Sequence, residues 1–202
     1  MIATIVFVSG AIVMSFEILG SRVLAPHFGN DVFVWGSLIG VFLAGLSLGY
    51  WGGGKLADSI TDLRCFALLL AAPGLNLCLF PLYCDTVNLW IFGRQYGMRA
   101  EPLLASIILF FIPTIFMGAV SPYAVKLQVR NIDLVGTGVG NLYALSTLGS
   151  IAGTLLTAFY LITLMGVRKI IVLEGALLVL IGIIVWAVQL RSSRPPKAPV
   201  LP

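Results

Sequence analysis

The chain has 202 residues, 59% of them hydrophobic and only 10% charged, with a formal net charge of +4. A soluble domain carries about 25% charged residues, so this composition and a mean hydropathy of +1.06 exclude one and point to an all-α integral membrane protein set in a lipid bilayer. The positive charge is scattered over loops and tail, with no basic stripe interleaved with aromatics, which argues against a nucleic-acid partner.

At about 20 apolar residues per span the length suits six transmembrane helices joined by short loops. The N-terminus has no basic leader and Glu17 interrupts the first apolar run, so helix 1 is expected to be retained. That helix is expected over residues 2–24, with Pro26, His27, Phe28, Gly29, Asn30 and Asp31 forming a turn. Helix 2 ends near residue 56, and helix 3 covers 65–92 with a bend at Pro73-Gly74 or Pro81. Helix 4 covers 102–129, where Pro113 or Pro122 is placed to kink or break it. Helices 5 and 6 follow over 136–165 and 170–190. Residues 1–190 thus read as one transmembrane domain, and 191–202 as a flexible, basic, Pro-rich tail.

The organising stretch is residues 36–58, GSLIGVFLAGLSLGYWGGGKLAD. Gly36, Gly40, Gly45 and Gly49 recur at four- and five-residue steps, which lays a smooth face along a helix. Glycine costs a soluble helix roughly 1 kcal/mol per position relative to alanine, whereas a membrane helix tolerates it. This helix is therefore expected to be central and packed through its glycines. A shift of 104 residues carries the four glycines onto Gly140, Ala144, Gly149 and Gly153, so helix 5 repeats the stripe. Helices 1 and 4 match more weakly, over 10–15 and 113–118. Three helices per unit turn the second unit upside down, the 3+3 inverted repeat seen in half of a major facilitator transporter.

Basic residues in short loops set the orientation. Lys55, Arg64, Lys126, Arg130, Arg191, Arg194 and Lys197 fall on the side of the N-terminus; Arg94, Arg99, Arg168 and Lys169 fall opposite, with Arg22 near that end of helix 1. Both termini are expected in the cytoplasm.

Few residues are placed to carry chemistry. Cys65, Cys78 and Cys84 have no metal-binding spacing and read as packing residues, and His27 is the single histidine, so no metal and no cofactor is expected. Glu17 lies inside helix 1, where a carboxylate serves as a ligand or proton group, or stays neutral and hydrogen-bonded to a neighbouring helix. Arg22 is five residues on, about 140° round the helix, so the two are not expected to pair within it. Glu174 reads as an interfacial partner of Arg168 and Lys169. Asn141, Tyr143, Thr147 and Ser150 either line a small cavity or stitch helices together, and the balance favours stitching. GYWGGGK at 49–55 matches the start of a phosphate-binding GxxxxGK loop, but Leu56 stands where the magnesium-binding Ser or Thr belongs, and the stretch leaves a membrane helix. No catalytic constellation is found.

Two resemblances follow from longer stretches. GKLAD at 54–58, with Arg64 beyond, resembles the cytoplasmic loop between helices 2 and 3 of the major facilitator superfamily. Residues 10–29 (GAIVMSFEILGSRVLAPHFG), 34–58 (VWGSLIGVFLAGLSLGYWGGGKLAD), 111–127 (FIPTIFMGAVSPYAVKL) and 138–162 (GVGNLYALSTLGSIAGTLLTAFYLI) are similar to the membrane portion of bacterial spermidine-synthase-like proteins, the fused major-facilitator/spermidine synthase family. The resemblance implies a bacterial inner membrane and a soluble aminopropyltransferase-type domain following the membrane part. No strand–glycine-loop–helix follows helix 6 here, so any transferase centre is expected on another polypeptide. The expected function is a non-catalytic membrane subunit of a spermidine-synthase-like system. It anchors a cytoplasmic transferase-type partner through Lys55, Asp58, Arg64, Lys126 and Arg130, and binds a small amphiphile or cation near Glu17. The alternatives are a structural subunit among other membrane chains, and a small-solute transporter acting as a dimer; a homo-oligomer is among the expected partners.

Overall fold

The structure, a computed structural model, describes residues 1–128 and 135–192, although the side chains of Val135, Arg191 and Ser192 are left aside. Six helices are long and apolar enough to cross a membrane: α1 (Ile2–Phe28), α2 (Val32–Ser59), α3 (Leu63–Phe92), α4 (Ala100–Gln128), α5 (Gly136–Leu164) and α6 (Val167–Leu190). The alternation of spans places the α2–α3 loop on the side of the N-terminus, and the α1–α2, α3–α4 and α5–α6 loops opposite. Arg130, Asp133, Arg194 and Lys197 lie outside the described residues.

The helix ends follow local chemistry. α1 runs through Pro26 to Phe28, four residues further than expected, because the break comes at Gly29, whose φ of 80° suits glycine. Asp31 caps α2 by accepting from the N–H groups of Phe33 and Val34 at 2.9 and 3.1 Å. Asp62 caps α3 through the N–H of Arg64 at 3.1 Å. The prolines of α3 and α4 leave both helices continuous. In α4 the adjustment is a π-helical turn at Ile107–Phe111, just ahead of Pro113, whose ring displaces the carbonyl four residues back.

Packing is pairwise: α1 against α5, α2 against α4, and α3 against α6. Glycine makes each pairing close. A Cβ on Gly49 would strike the carbonyl of Ile115, and one on Gly53 would lie 2.7 Å from the Ala119 Cβ. On α5, Gly149 and Gly153 meet the carbonyls of Phe7 and Ala11 in the same way. Gly74 and Gly175 face each other between α3 and α6; a Cβ on either would come within 2.8 or 2.6 Å of the other's carbonyl oxygen. Gly36 and Gly40 differ from expectation. Nothing lies within 4 Å of a Cβ at either position, so close packing through glycine on α2 begins at Gly45. The reason is rotation: in that half α2 buries Val34, Ser37, Leu38, Val41 and Phe42, and Gly36 and Gly40 lie on the exposed side.

The contacts recur at one offset. Gly45 approaches the carbonyl of Phe111 and Gly149 that of Phe7; Gly49 approaches Ile115 and Gly153 approaches Ala11. Glycine and partner are displaced by the same 104 residues in both cases. The α2–α4 and α5–α1 pairings are thus built alike.

The core centres on Phe16, which meets Phe42, Phe80 and Phe110 edge-on with ring centroids 5.8, 5.5 and 5.1 Å away. Towards the N-terminal side, buried Tyr123 of α4 stacks on Phe66, and its hydroxyl accepts the N–H of Asp62 at 3.0 Å and donates to the Ile60 carbonyl at 2.5 Å. This fastens the α2–α3 loop to α4. Tyr123→Phe is expected to lower stability by about 1–2 kcal/mol, since two loop backbone groups lose their partner. Hydrogen exchange should speed up at Asp62 and leave the α3–α6 amides unchanged.

Candidate functional site

Between α1, α2, α4 and α5, in the half of the protein nearest the N-terminus, lies a cavity of about 150 Å3. Its wall carries five hydroxyl groups, from Ser9, Tyr50, Ser121, Ser146 and Ser150, among Val13, Met14, Leu46 and Met117. Ser9 is the eighth residue of α1, which sets the hydroxyls about 10 Å in from that helix end. Three pairs of lining residues, Val13 with Met117, Met14 with Gly118, and Leu46 with Ser150, stand 104 residues apart. The cavity therefore sits where the two similar helix pairings meet. Larger hollows of about 350 and 530 Å3 lie elsewhere, but they are open grooves against α3 and α6, the first apolar throughout and the second bordered by Arg168 and Lys169.

Sequence-expected residues distribute unevenly around this cavity. Ser150 both lines it and stitches, donating towards the carbonyls of Gly10 at 3.2 Å and Ser146 at 3.1 Å. Glu17 falls on the α1 stripe of Gly10, Val13 and Met14, one turn beyond the lining. It is half-buried and makes no hydrogen bond or ion pair among the described residues. Arg22 is exposed and apart from it. Asn141, Tyr143 and Thr147 are exposed on α5; Tyr143 is within electrostatic reach of Tyr50 at the cavity wall, and the Thr147 hydroxyl turns back to the Tyr143 carbonyl at 3.0 Å. Helix α5 buries only 17% of its central span, against 39–56% for the other five, so it offers the most surface to lipid or another chain.

On the face holding the N-terminus, Lys126 and Asp58 form an exposed ion pair at 2.7 Å between α4 and α2. Lys55 lies over the Trp51 ring at 3.9 Å, and Arg64 is exposed. Such exposed pairs contribute at most about 1 kcal/mol, so they mark orientation and a charged rim more than stability.

One cluster escaped the sequence reading. Glu174 is not an interfacial partner of Arg168. It is buried, and its Oε1 accepts a hydrogen bond from Ser15 of α1, whose hydroxyl also meets that of Thr157 of α5 at 2.6 Å. The guanidinium of Arg168 binds Asp85 of α3 instead. Six residues separate Glu174 from Arg168, which puts them about 120° apart on α6. Ser15 is 142 residues from Thr157 and 159 from Glu174, so the cluster leaves no local signal. Among the described residues no three His, Cys, Asp or Glu side chains are grouped to hold a metal ion.

No family model, curated protein or solved structure matches this chain.

Proposed function

We propose that this chain is a non-catalytic membrane subunit that binds a small amphiphile or organic cation in the cavity between α1, α2, α4 and α5, and that it works with a partner docked on the face bearing Lys55, Asp58, Arg64 and Lys126. The observation that carries the reading is the cavity itself: a hydroxyl-lined space between four helices, with a carboxylic acid, Glu17, one turn beyond its wall. Hydroxyls and methionine suit a ligand that is part polar and part apolar, and the carboxyl group suits a cationic end. The sequence resemblance supplies the partner class, a soluble transferase of the spermidine-synthase type, and a bacterial inner membrane with both termini in the cytoplasm.

The test is purification from native membranes in mild detergent, with mass spectrometry of the proteins retained. A soluble Rossmann-type transferase at equal stoichiometry is the expected result. A fixed set of other membrane subunits without a transferase overturns the docking role and leaves a structural subunit.

The recurring 104-residue offset favours a second reading, transport. An inverted duplication with a cavity at the junction of its halves is how secondary transporters place their substrate site. In that case the protein emerges alone or as a homodimer, and cation-dependent flux in vesicles is abolished by Glu17→Gln.

A further inference from the structure

Glu174 is the most enclosed acidic side chain in the described protein, only 9% exposed, eight residues into α6 and so about 10 Å from its start. Oε1 is bonded to Ser15, whereas Oε2 is buried without a partner. An ionisable group at such depth is kept where it does something, and the cavity reading above makes no use of it. Its two neighbours are hydroxyls from two further helices, and Thr157 opens a π-helical turn, Thr157–Leu161. Turns of that kind gather at functional sites.

We propose that Glu174, Ser15 and Thr157 form a reversible proton-binding site at the junction of α1, α5 and α6. With Glu174 ionised, Thr157 donates to Ser15 and Ser15 donates to Oε1. When a proton arrives on Oε1, the chain reverses: Oε1–H donates to Ser15, and Ser15 donates to Thr157. The Ser15–Thr157 contact accepts either direction, so both states fit without movement of heavy atoms. One carboxyl group and two hydroxyls are too few oxygens for calcium or magnesium, which take about six or more, and they offer none of the nitrogen or sulfur ligands that zinc prefers. The proton is the occupant that fits.

Other titratable groups stand off. From α3, the Cys78 thiol points to the Val172 carbonyl at 3.8 Å, and Cys84 lies beside Asp85, which is held by Arg168. On α1, Glu17 is two residues from Ser15 and thus on the far side of that helix; on α5, Tyr160 is exposed. Lys169, at the start of α6, is exposed as well.

The test is an infrared titration of the full-length protein in lipid nanodiscs, comparing wild type with Glu174→Gln, which keeps the shape of the side chain. Expected is a protonated-carboxyl band that fades reversibly as pH is raised. That band is missing in Glu174→Gln and present in Glu17→Gln. In Ser15→Ala its midpoint moves upward by at least about one pH unit, because the ionised form loses its donor. A Glu174 band present or absent at every pH overturns the proposal. So does a band removed by sodium at constant pH, which would assign the site to a cation.

Discussion

Replacing Gly49 with leucine is expected to separate α2 from α4, whereas the same change at Gly40 leaves the fold intact. Both are glycines of one helix, so propensity and hydrophobicity change equally. The surroundings do not. A Cβ at Gly49 meets the Ile115 carbonyl and comes within 2.9 Å of the Gly118 Cα, backbone atoms that move only if the whole helix moves. A Cβ at Gly40 meets nothing within 4 Å. Overpacking of a tight contact costs typically 1–3 kcal/mol, and here the displaced atoms are backbone, so about 3 kcal/mol or more is expected for Gly49→Leu. For Gly40→Leu the change is within about 1 kcal/mol and favourable, from helix propensity alone. Thermal unfolding midpoints of the two variants in one detergent decide the matter. Equal loss in both would mean that Gly40 is packed as closely as Gly49, against the open surroundings it has here.

The second large effect is expected at Phe16. Its ring is fully buried and touches rings from α2, α3 and α4, so it ties four helices at one point. Within a bilayer the unfolded reference is already inserted in lipid, so little of the loss on truncation comes from water. What remains is the cavity and the lost dispersion and edge-to-face contacts. For Phe16→Ala about 3 kcal/mol is expected, the low end of the range for Phe→Ala in soluble cores. Phe16→Leu should recover more than half of it by filling volume without the ring geometry. Equilibrium unfolding in mixed micelles measures both. If Phe16→Ala costs less than about 1 kcal/mol, the four-ring cluster is not the point that holds the helices together.

Much of the architecture was legible in the residues. Six apolar runs, their order and the positions of their loops follow from hydropathy, because lipid demands an apolar surface and an internally bonded backbone over a set length. The charged rim was legible for the same reason: Asp58 and Lys126 sit at helix ends, where the chain meets water, and they do pair. Gly45, Gly49, Gly149 and Gly153 stand out in the sequence by their spacing, and each lies close against a neighbouring helix, the main use of small residues in a membrane.

Tertiary structure decided the rest. Gly40 and Gly49 are nine residues apart, about 180° round the helix, so both cannot face one neighbour; only the packed structure decides that Gly49 is the one enclosed and Gly40 the one left bare. The hydroxyl-lined cavity draws on four helices, so Ser9, Tyr50 and Ser121 carried no mark of their own, while Asn141, Tyr143 and Thr147 looked alike in sequence and turn out to face outward. Glu174 is the clearest case. Its neighbours in the chain are cations at an interface, yet the fold rotates it inward to hydroxyls from α1 and α5. A helix determines by its sequence which faces are apolar and which residues share a stripe. Which stripe meets which depends on rotation and height against five other helices, and only the packed assembly sets those.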